Sequence, residues 1–134
     1  MKNNEKVELL NTYLKNNFVP VLIQGLDTNI FEDAVILNSD IPNSELNGHY
    51  DETNFVPPIW FNKIMDKKDE KINLLVIKDI DKISKEEQMK FYELLKYRKI
   101  SVFDLPTNCV IIIPCLKVKE GMLNENIYSL VAHI

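Results

Sequence analysis

Residues 71–114 read KINLLVIKDIDKISKEEQMKFYELLKYRKISVFDLPTNCVIIIP, and this stretch decides the fold. Its two wholly apolar runs, residues 74–77 and 110–113, are typical of strands that are buried on both faces of a sheet. Between them, Ser84 opens a capping box, and apolar residues follow it at helical spacing. A buried strand, a helix and a second buried strand in this order predict parallel pairing and an α/β fold.

The remaining sequence supplies the other elements of this fold. Residues 3–17 show the apolar stripe of an amphipathic helix, and residues 19–24 and 33–37 are strand candidates. Residues 38–55 consist largely of turn formers and predict a long loop that is either an active loop or a contact surface. A helix is expected to begin at Pro57-Pro58.

A final short helix is expected over residues 124–132. We therefore predict a single domain over residues 1–134, with an N-terminal helix over 1–18 and a sheet core over 19–134. The expected architecture is a three-layer parallel sheet with flanking helices.

Composition limits the classes of function. The net charge of −4 and the pI of about 5.2 argue against a basic nucleic-acid-binding or membrane-binding face. Cys109 and Cys115 stand at the two ends of the predicted last strand, roughly 20 Å apart at about 3.3 Å per residue, so we expect reduced core thiols and a cytoplasmic protein. His49 and His133 have no ligand spacing that indicates a metal, and no signal peptide or membrane-spanning run is expected.

Several short motifs follow one another along the chain: VPVLIQG at residues 19–25, SELNG at 44–48, PPIW at 57–60, LLVIKDIDKI at 74–83 and LPTN at 105–108. In this order they resemble the core of an AAA+ ATPase, most closely its MoxR-like branch. The segments correspond to the P-loop strand and its first glycine, an acidic-Leu-x-Gly segment, a Pro-Trp helix entry, the Walker B strand and the approach to the sensor-1 strand. The resemblance implies a truncated P-loop NTPase (AAA+)-like core.

The sequence departs from this family at the positions that touch nucleotide. After Gly25 it reads LDTNIFED, without the second glycine and the lysine that cradle phosphates, so the P-loop and its helix are expected to be missing. The Walker B position holds Lys78-Asp79, or Asp79-Ile80 if the register shifts by one, and neither pair gives adjacent carboxylates. Asp79 and Asp81 remain as single acids. The arginine-finger position corresponds to His133, and no helical lid domain is expected.

These losses favour a non-catalytic protein-interaction module that binds an ATPase subunit or itself. Without a P-loop helix, one face of the sheet would be open for a partner, unless the N-terminal helix covers it. The candidate interaction residues are Trp60, Ser44, Gly48 and His133, with Trp60 alternatively a core residue. Gly25, Asp79 and Asp81 are remnants of a nucleotide site, and neither a cofactor nor a metal is expected.

Two alternatives remain open. One is an unorthodox Mg-dependent enzyme that binds or hydrolyses nucleotides with Asp79, Asp81 and the 38–55 loop. The other is a DNA-binding accessory protein, the least favoured because the chain is acidic and its basic residues are not interleaved with aromatic ones. The basic residues that such a protein would use are Lys96, Arg98, Lys99, Lys117 and Lys119.

Overall fold

The computed structural model describes residues 8, 19–25, 31, 33–71, 73–115 and 121–133. The described strands are β1 Val21–Gln24, β2 Val35–Asn38, β3 His49–Asp51, β4 Asn54–Val56, β5 Asn73–Lys78, β6 Lys99–Ile100, β7 Phe103–Asp104, β8 Cys109–Cys115 and β9 Ala132–His133. The described α-helices are α1 Asn43–Asn47, α2 Ile59–Asp66, α3 Lys85–Gln88, α4 Tyr92–Tyr97 and α5 Glu125–Tyr128. Two 3-10 turns span Ile80–Lys82 and Met89–Phe91.

Five strands form one parallel sheet in the order β2-β5-β8-β1-β9. The two apolar runs of the sequence become its neighbouring strands β5 and β8, in which Leu75 lies opposite Ile111 and Val76 opposite Ile112. Every residue of β8 is buried, because β5 and β1 flank it and its side chains pack into core clusters on both faces of the sheet. The predicted parallel α/β sheet is therefore confirmed.

One face of the sheet carries the larger core. All five described α-helices are on this side, since buried residues of α1, α2, α4 and α5 join one cluster with the sheet and α3 continues into the 3-10 turn that holds Phe91. Side chains such as Ile64, Phe91 and Ile127 are completely buried there. Each such side chain contributes about 1.5–3 kcal/mol by leaving water, so packing on this face fixes the positions of the helices.

The opposite face carries a smaller cluster that consists of Val21, Ile23, Val76, Val110, Ile112 and Phe31. The five strand residues of this cluster are 3% exposed or less, so the expectation that this face is open to a partner is wrong for the central strands. The predicted helix over residues 3–17 lies outside the described residues, except for Glu8, which is helical. The third layer consequently stays a prediction.

Residues 38–55 do not form the long loop that the sequence predicted. They contain α1 and the antiparallel hairpin β3–β4, in which Tyr50 pairs with Phe55. A second hairpin, β6–β7, packs against the first, since the rings of Phe55 and Phe103 stack with their centroids 5.3 Å apart. The hairpins are thus held by aromatic packing between them.

The helix predicted after Ser84 begins as expected and then breaks. The Ser84 hydroxyl accepts a hydrogen bond of 3.1 Å from the Glu87 N–H, which confirms the serine as a cap. The chain tightens into a 3-10 turn after α3 before it continues as α4.

The end of the chain differs from the sequence prediction, while the cysteines agree with it. The final helix α5 is shorter than expected, and Ala132 and His133 instead form β9, which pairs with β1. Cys109 and Cys115 are both buried and free, as predicted. Among the described helices, none has the length and apolarity that a membrane crossing requires.

Candidate functional site

The carboxyl ends of β1, β5 and β8 meet at one edge of the sheet, where the remnant positions Gly25 and Asp79 lie. In the order of the strands, β2, the next strand after β1 in the sequence, lies on one side of the β1–β8 pair, and β9, the next strand after β8, lies on the other. Such a switch in strand order is where ligands bind in open parallel sheets. Here the N–H of Gly25 donates to the carbonyl of Cys115 over 2.9 Å. That N–H is therefore engaged inside the sheet and does not face a phosphate. The predicted loss of the P-loop helix after Gly25 falls mainly on residues 26–30 and 32, outside the described residues.

Asp79 and Asp81, the two acids that the sequence predicted to be remnants of a nucleotide site, lie on the turn after β5. Asp79 has a left-handed backbone with φ of 62°, and its carboxylate lies 3.4 Å from the ammonium group of Lys82. Asp81 follows in the 3-10 turn and is partly buried. Within the described part of the chain, no group of His, Cys, Asp and Glu side chains has the arrangement of a metal site. The local ion pair and the adjacent Lys78 give this edge a mixed charge.

Cys115 lies close enough to these acids to be affected by them. Burial raises the pKa of its thiol to about 12, and the negative charges of Asp81 and Asp79 act in the same direction. A nucleophilic cysteine needs a lowered pKa, so Cys115 is an inert thiol at neutral pH.

A concavity lies beside β2, the outermost strand at one side of the sheet. It has a volume of about 930 Å³ and is lined by Asp33 to Leu37 along β2 and by one side of α2. We call it the β2–α2 groove. Lys67, just after α2, donates a hydrogen bond to the carbonyl of Asp33, two residues before β2. At the other end of the groove, Trp60 near the start of α2 is hydrogen-bonded to Leu46 of α1, which follows β2. The start of the helix therefore lies near the end of the strand, and β2 and α2 run in opposite directions.

Three of the four predicted interaction residues line this groove: Ser44, Gly48 and Trp60. Ser44 is exposed on α1, whereas Trp60 is only 5% exposed and mainly a core residue. Its indole N–H donates to the Leu46 carbonyl over 2.9 Å. Trp60 thus positions α1 relative to α2 and offers little surface of its own.

Gly48 forms the corner between α1 and the β3–β4 hairpin. Its φ is 75°, and a Cβ at this position would lie 2.5 Å from the carbonyl oxygen of Val56. Glycine is therefore required here both for its backbone conformation and for the close approach of two chain segments. The corner places His49 and Val56 on the groove side of the hairpin.

The sequence did not single out the exposed aliphatic residues of the groove. Ile36 of β2 is 45% exposed, Val56 of β4 is 37% exposed and Ile59 of α2 is 76% exposed. Ile36 stands in the sequence between two other aliphatic residues, Val35 and Leu37. Only the structure, in which those two are buried, places it on the other face of an edge strand.

His133, the fourth predicted interaction residue, lies at the opposite edge of the sheet on β9. Its ring is exposed, stands 4.3 Å from the ring of Tyr128, and has Nε2 3.3 Å from the Tyr128 carbonyl oxygen. The structure does not bring it together with the groove residues.

Three of the five basic residues of the DNA-binding alternative are described, and each of the three has a separate partner. Lys96 donates to the Tyr92 hydroxyl over 3.2 Å, Arg98 to the Pro106 carbonyl over 3.1 Å, and Lys99 lies 3.7 Å from the Asp104 carboxylate. The Tyr92 hydroxyl also raises the pKa of Lys96. Lys117 and Lys119 lie outside the described residues.

Comparison with known proteins gives no family assignment: neither the models of known protein families nor the curated proteins contain a match to this chain.

Proposed function

We propose that this chain is a non-catalytic AAA+-like interaction module, which binds an ATPase subunit or a second copy of itself. In this proposal it has no nucleotide site of the usual kind and could cap, bridge or inhibit an ATPase ring. A cytoplasmic location is part of the same proposal.

The order of the strands supports the AAA+-like part of the proposal. β8, which resembles the sensor-1 strand in sequence, lies between β1 and β5, which resemble the P-loop and Walker B strands. This neighbourhood is compatible with an α/β core of the kind that the resemblance implies. The strand order alone carries no function, because one fold serves many.

The turn after β5 supports the non-catalytic part. A Walker B site needs adjacent carboxylates that organise Mg²⁺ and polarise water. Here Lys78 occupies the first of these positions, and Asp79 is paired with Lys82 over 3.4 Å. The ammonium group of Lys82 beside the Asp79 carboxylate, together with a lysine in place of the first acid, disfavours a divalent cation at this point.

The observation that carries the proposal is the groove itself. Ile36, Val56 and Ile59 expose aliphatic surface in one concavity of about 930 Å³, beside three residues that the sequence had indicated. Exposed apolar surface that is gathered in one place, with polar residues around it, is typical of a protein-binding site.

The test combines nucleotide titration with subunit binding. The purified protein is titrated calorimetrically with Mg·ATP and Mg·ADP, and we expect no saturable heat. Its self-association and its binding to purified MoxR-like ATPase subunits are followed by light scattering. We expect association by one of these routes, and its loss in Ile59→Asp.

The matched control is Val102→Asp, because Val102 is 77% exposed and Ile59 76%, and Val102 does not line the groove. Association should survive in this variant. Saturable Mg-dependent ATP binding would overturn the proposal and favour the enzyme alternative, and so would a wild-type monomer that binds no ATPase subunit.

A further inference from the structure

The edge of β2 offers main-chain hydrogen-bonding groups to the β2–α2 groove. Ser39 donates its N–H to the Lys78 carbonyl over 3.0 Å, and successive residues of a strand alternate in direction. Leu37 and Val35 therefore bond to β5, whereas the N–H and C=O of Ile36 point away from it. Among the described residues, β2 has no neighbour on that side.

The main-chain groups on either side of Ile36 are partly used by local turns. The Ala34 N–H donates to the Phe31 carbonyl over 3.2 Å, and the Asn38 carbonyl accepts from the Ile41 N–H over 3.1 Å. Ile36 stands between them with both groups directed into the groove. A donor and an acceptor on one residue of a strand edge are the groups that an added strand pairs with.

Helix α2 forms the facing wall of the groove. Ile59, Lys63 and Asp66 lie on one side of it, at intervals of four and three residues, and all line the groove. An extended segment placed between β2 and α2 would direct alternate side chains toward the helix. The remaining side chains of the segment would lie on the same face of the sheet as Ile36. Aliphatic side chains on either face of the segment would therefore contact apolar surface.

The charges of the groove indicate which segment fits. Three carboxylates line it, those of Asp33, Glu45 and Asp66, against the ammonium groups of Lys63 and Lys67. None of the three carboxylates belongs to an ion pair among the described residues. Asp40 adds another acid just beyond the carboxyl end of β2. Basic side chains at the two ends of an added strand would complement these acids.

The same charges disfavour a second copy of this chain as the added strand. Its own β2 is flanked by Asp33 and Asp40, so antiparallel pairing of two β2 strands would bring carboxylates of both copies together.

We propose that the β2–α2 groove binds an extended segment of a partner protein by strand addition to Ile36. The segment carries aliphatic residues at its centre and Lys or Arg at both ends. This inference rests on the proposed function, because it names the kind of partner that the interaction module takes.

The probe is the acetylated, amidated peptide Lys-Lys-Val-Ile-Val-Lys-Lys, titrated calorimetrically into the full chain. Two analogues separate strand addition from hydrophobic adsorption: one is N-methylated at both valines, the other at the isoleucine. In an extended peptide the N–H groups of the two valines point to one side and that of the isoleucine to the other, so only one of these two sets of N–H groups can face β2. We expect one analogue to bind about tenfold more weakly or worse, and the other to bind like the parent. Hydrogen exchange of the Ile36 amide should slow when the parent peptide is bound.

The variant is Ile36→Lys, since a lysine on an edge strand opposes strand addition and would also repel the basic probe. The matched control is Ile36→Val, which keeps an aliphatic side chain. We expect binding to be lost in the first and kept in the second, with unchanged circular dichroism in both. A glutamate-flanked version of the peptide should bind more weakly than the parent.

The inference is overturned if the parent peptide shows no saturable binding, if both methylated analogues lose affinity equally, or if Ile36→Lys binds the probe as the wild type does. The proposed function fails on different results, namely ATP binding or the absence of any ATPase-subunit or self-association. Subunit binding that Ile59→Asp abolishes, together with no peptide binding, would leave the module standing and remove strand addition.

Discussion

The indole N–H of Trp60 donates a hydrogen bond of 2.9 Å to the main-chain carbonyl of Leu46. Leu46 is the buried residue of α1, and Trp60 is in the first turn of α2, so the bond joins the two helices at one end of the β2–α2 groove. The shape of the groove at this end thus depends on a residue that is itself almost entirely buried.

The substitution Trp60→Phe tests this bond. It leaves the Leu46 carbonyl buried without its donor, and we expect the free energy of unfolding to fall by about 1–3 kcal/mol. Urea unfolding followed by circular dichroism measures the loss, because Trp60 is the single tryptophan of the chain. The control is Tyr50→Phe, an exposed aromatic position where a change within about 0.5 kcal/mol is expected. Equal stabilities of the two variants would show that the Trp60 bond is not needed.

The corner at Gly48 provides a second prediction. Gly48→Ala would place a Cβ 2.5 Å from the Val56 carbonyl in a backbone region that is essentially limited to glycine, with φ of 75° and ψ of −169°. We expect a loss of stability at or above the upper end of the roughly 1–3 kcal/mol that such backbone strain costs. Groove-dependent association should weaken as well.

Gly121→Ala is the matched control for this variant. Gly121 also has a positive φ, of 82°, but the nearest atom to an added Cβ is Lys85 Nζ at 3.8 Å. Its loss should therefore reflect backbone strain alone and stay below that of Gly48→Ala in thermal unfolding. A similar loss in both variants would argue against the close approach of Gly48 to β4.

Why the sequence predicted some elements and missed others can be seen at particular residues. β5 and β8 were found because strands that are buried on both faces must be apolar throughout, as residues 74–77 and 110–113 are. The edge strand β2 was placed one or two residues early, since Asp33 begins a turn with φ of 64° and not a strand.

The two hairpins were missed for a different reason. β3 and β4 have three residues each, and β6 and β7 two each, which is too short for a recognisable alternation. They are held by contacts between distant residues, such as the stacking of Phe55 on Phe103. Nothing in the local sequence of either segment indicates that partner.

The groove was predictable only in part. Ser44, Gly48 and Trp60 were named from motifs, and the fold brings them together. Ile36 and Ile59 could not be distinguished from core residues, because whether an aliphatic side chain is exposed depends on the strand order and on the angle of α2. His133 was grouped with them only by family position, and β9 places it at the other edge.

A third prediction concerns the fully buried side chain of Gln88. Its Nε2 donates to the Met122 carbonyl over 2.9 Å and to the Ile83 carbonyl over 3.3 Å, and its Oε1 accepts from the Asn124 N–H over 2.6 Å. Gln88→Met keeps the volume and removes these three hydrogen bonds, so we expect a loss of about 1.5–4.5 kcal/mol, at roughly 0.5–1.5 kcal/mol per hydrogen bond. Urea unfolding monitored by Trp60 fluorescence measures it. Glu87→Met, at an exposed neighbouring position, is the control and should change stability little.

The last prediction is that stability falls as pH rises above about 8. Burial raises the pKa of both Cys109 and Cys115 to about 12, whereas a thiol in the unfolded chain ionises near pH 8.5. The folded state therefore holds these protons more tightly than the unfolded state does. The stability that this contributes is complete below the pKa of the unfolded thiol and is lost progressively as the pH rises toward the pKa of the folded thiol. Between pH 8 and pH 10 each thiol should lower the free energy of unfolding by about 1–2 kcal/mol.

Other groups titrate in the same pH range, so the contribution of one thiol is measured as the difference between the wild type and a variant that lacks it. Urea unfolding at pH 8 and pH 10 is compared between the wild type and Cys115→Ala, in which the pH-dependent loss should be smaller by the contribution of one thiol. Iodoacetamide should leave both cysteines of the folded protein unmodified at pH 8 and react with them in urea. An identical pH dependence in Cys115→Ala would mean that this thiol already ionises in the folded state, and that burial and the nearby charges of Asp81 and Asp79 do not keep it protonated.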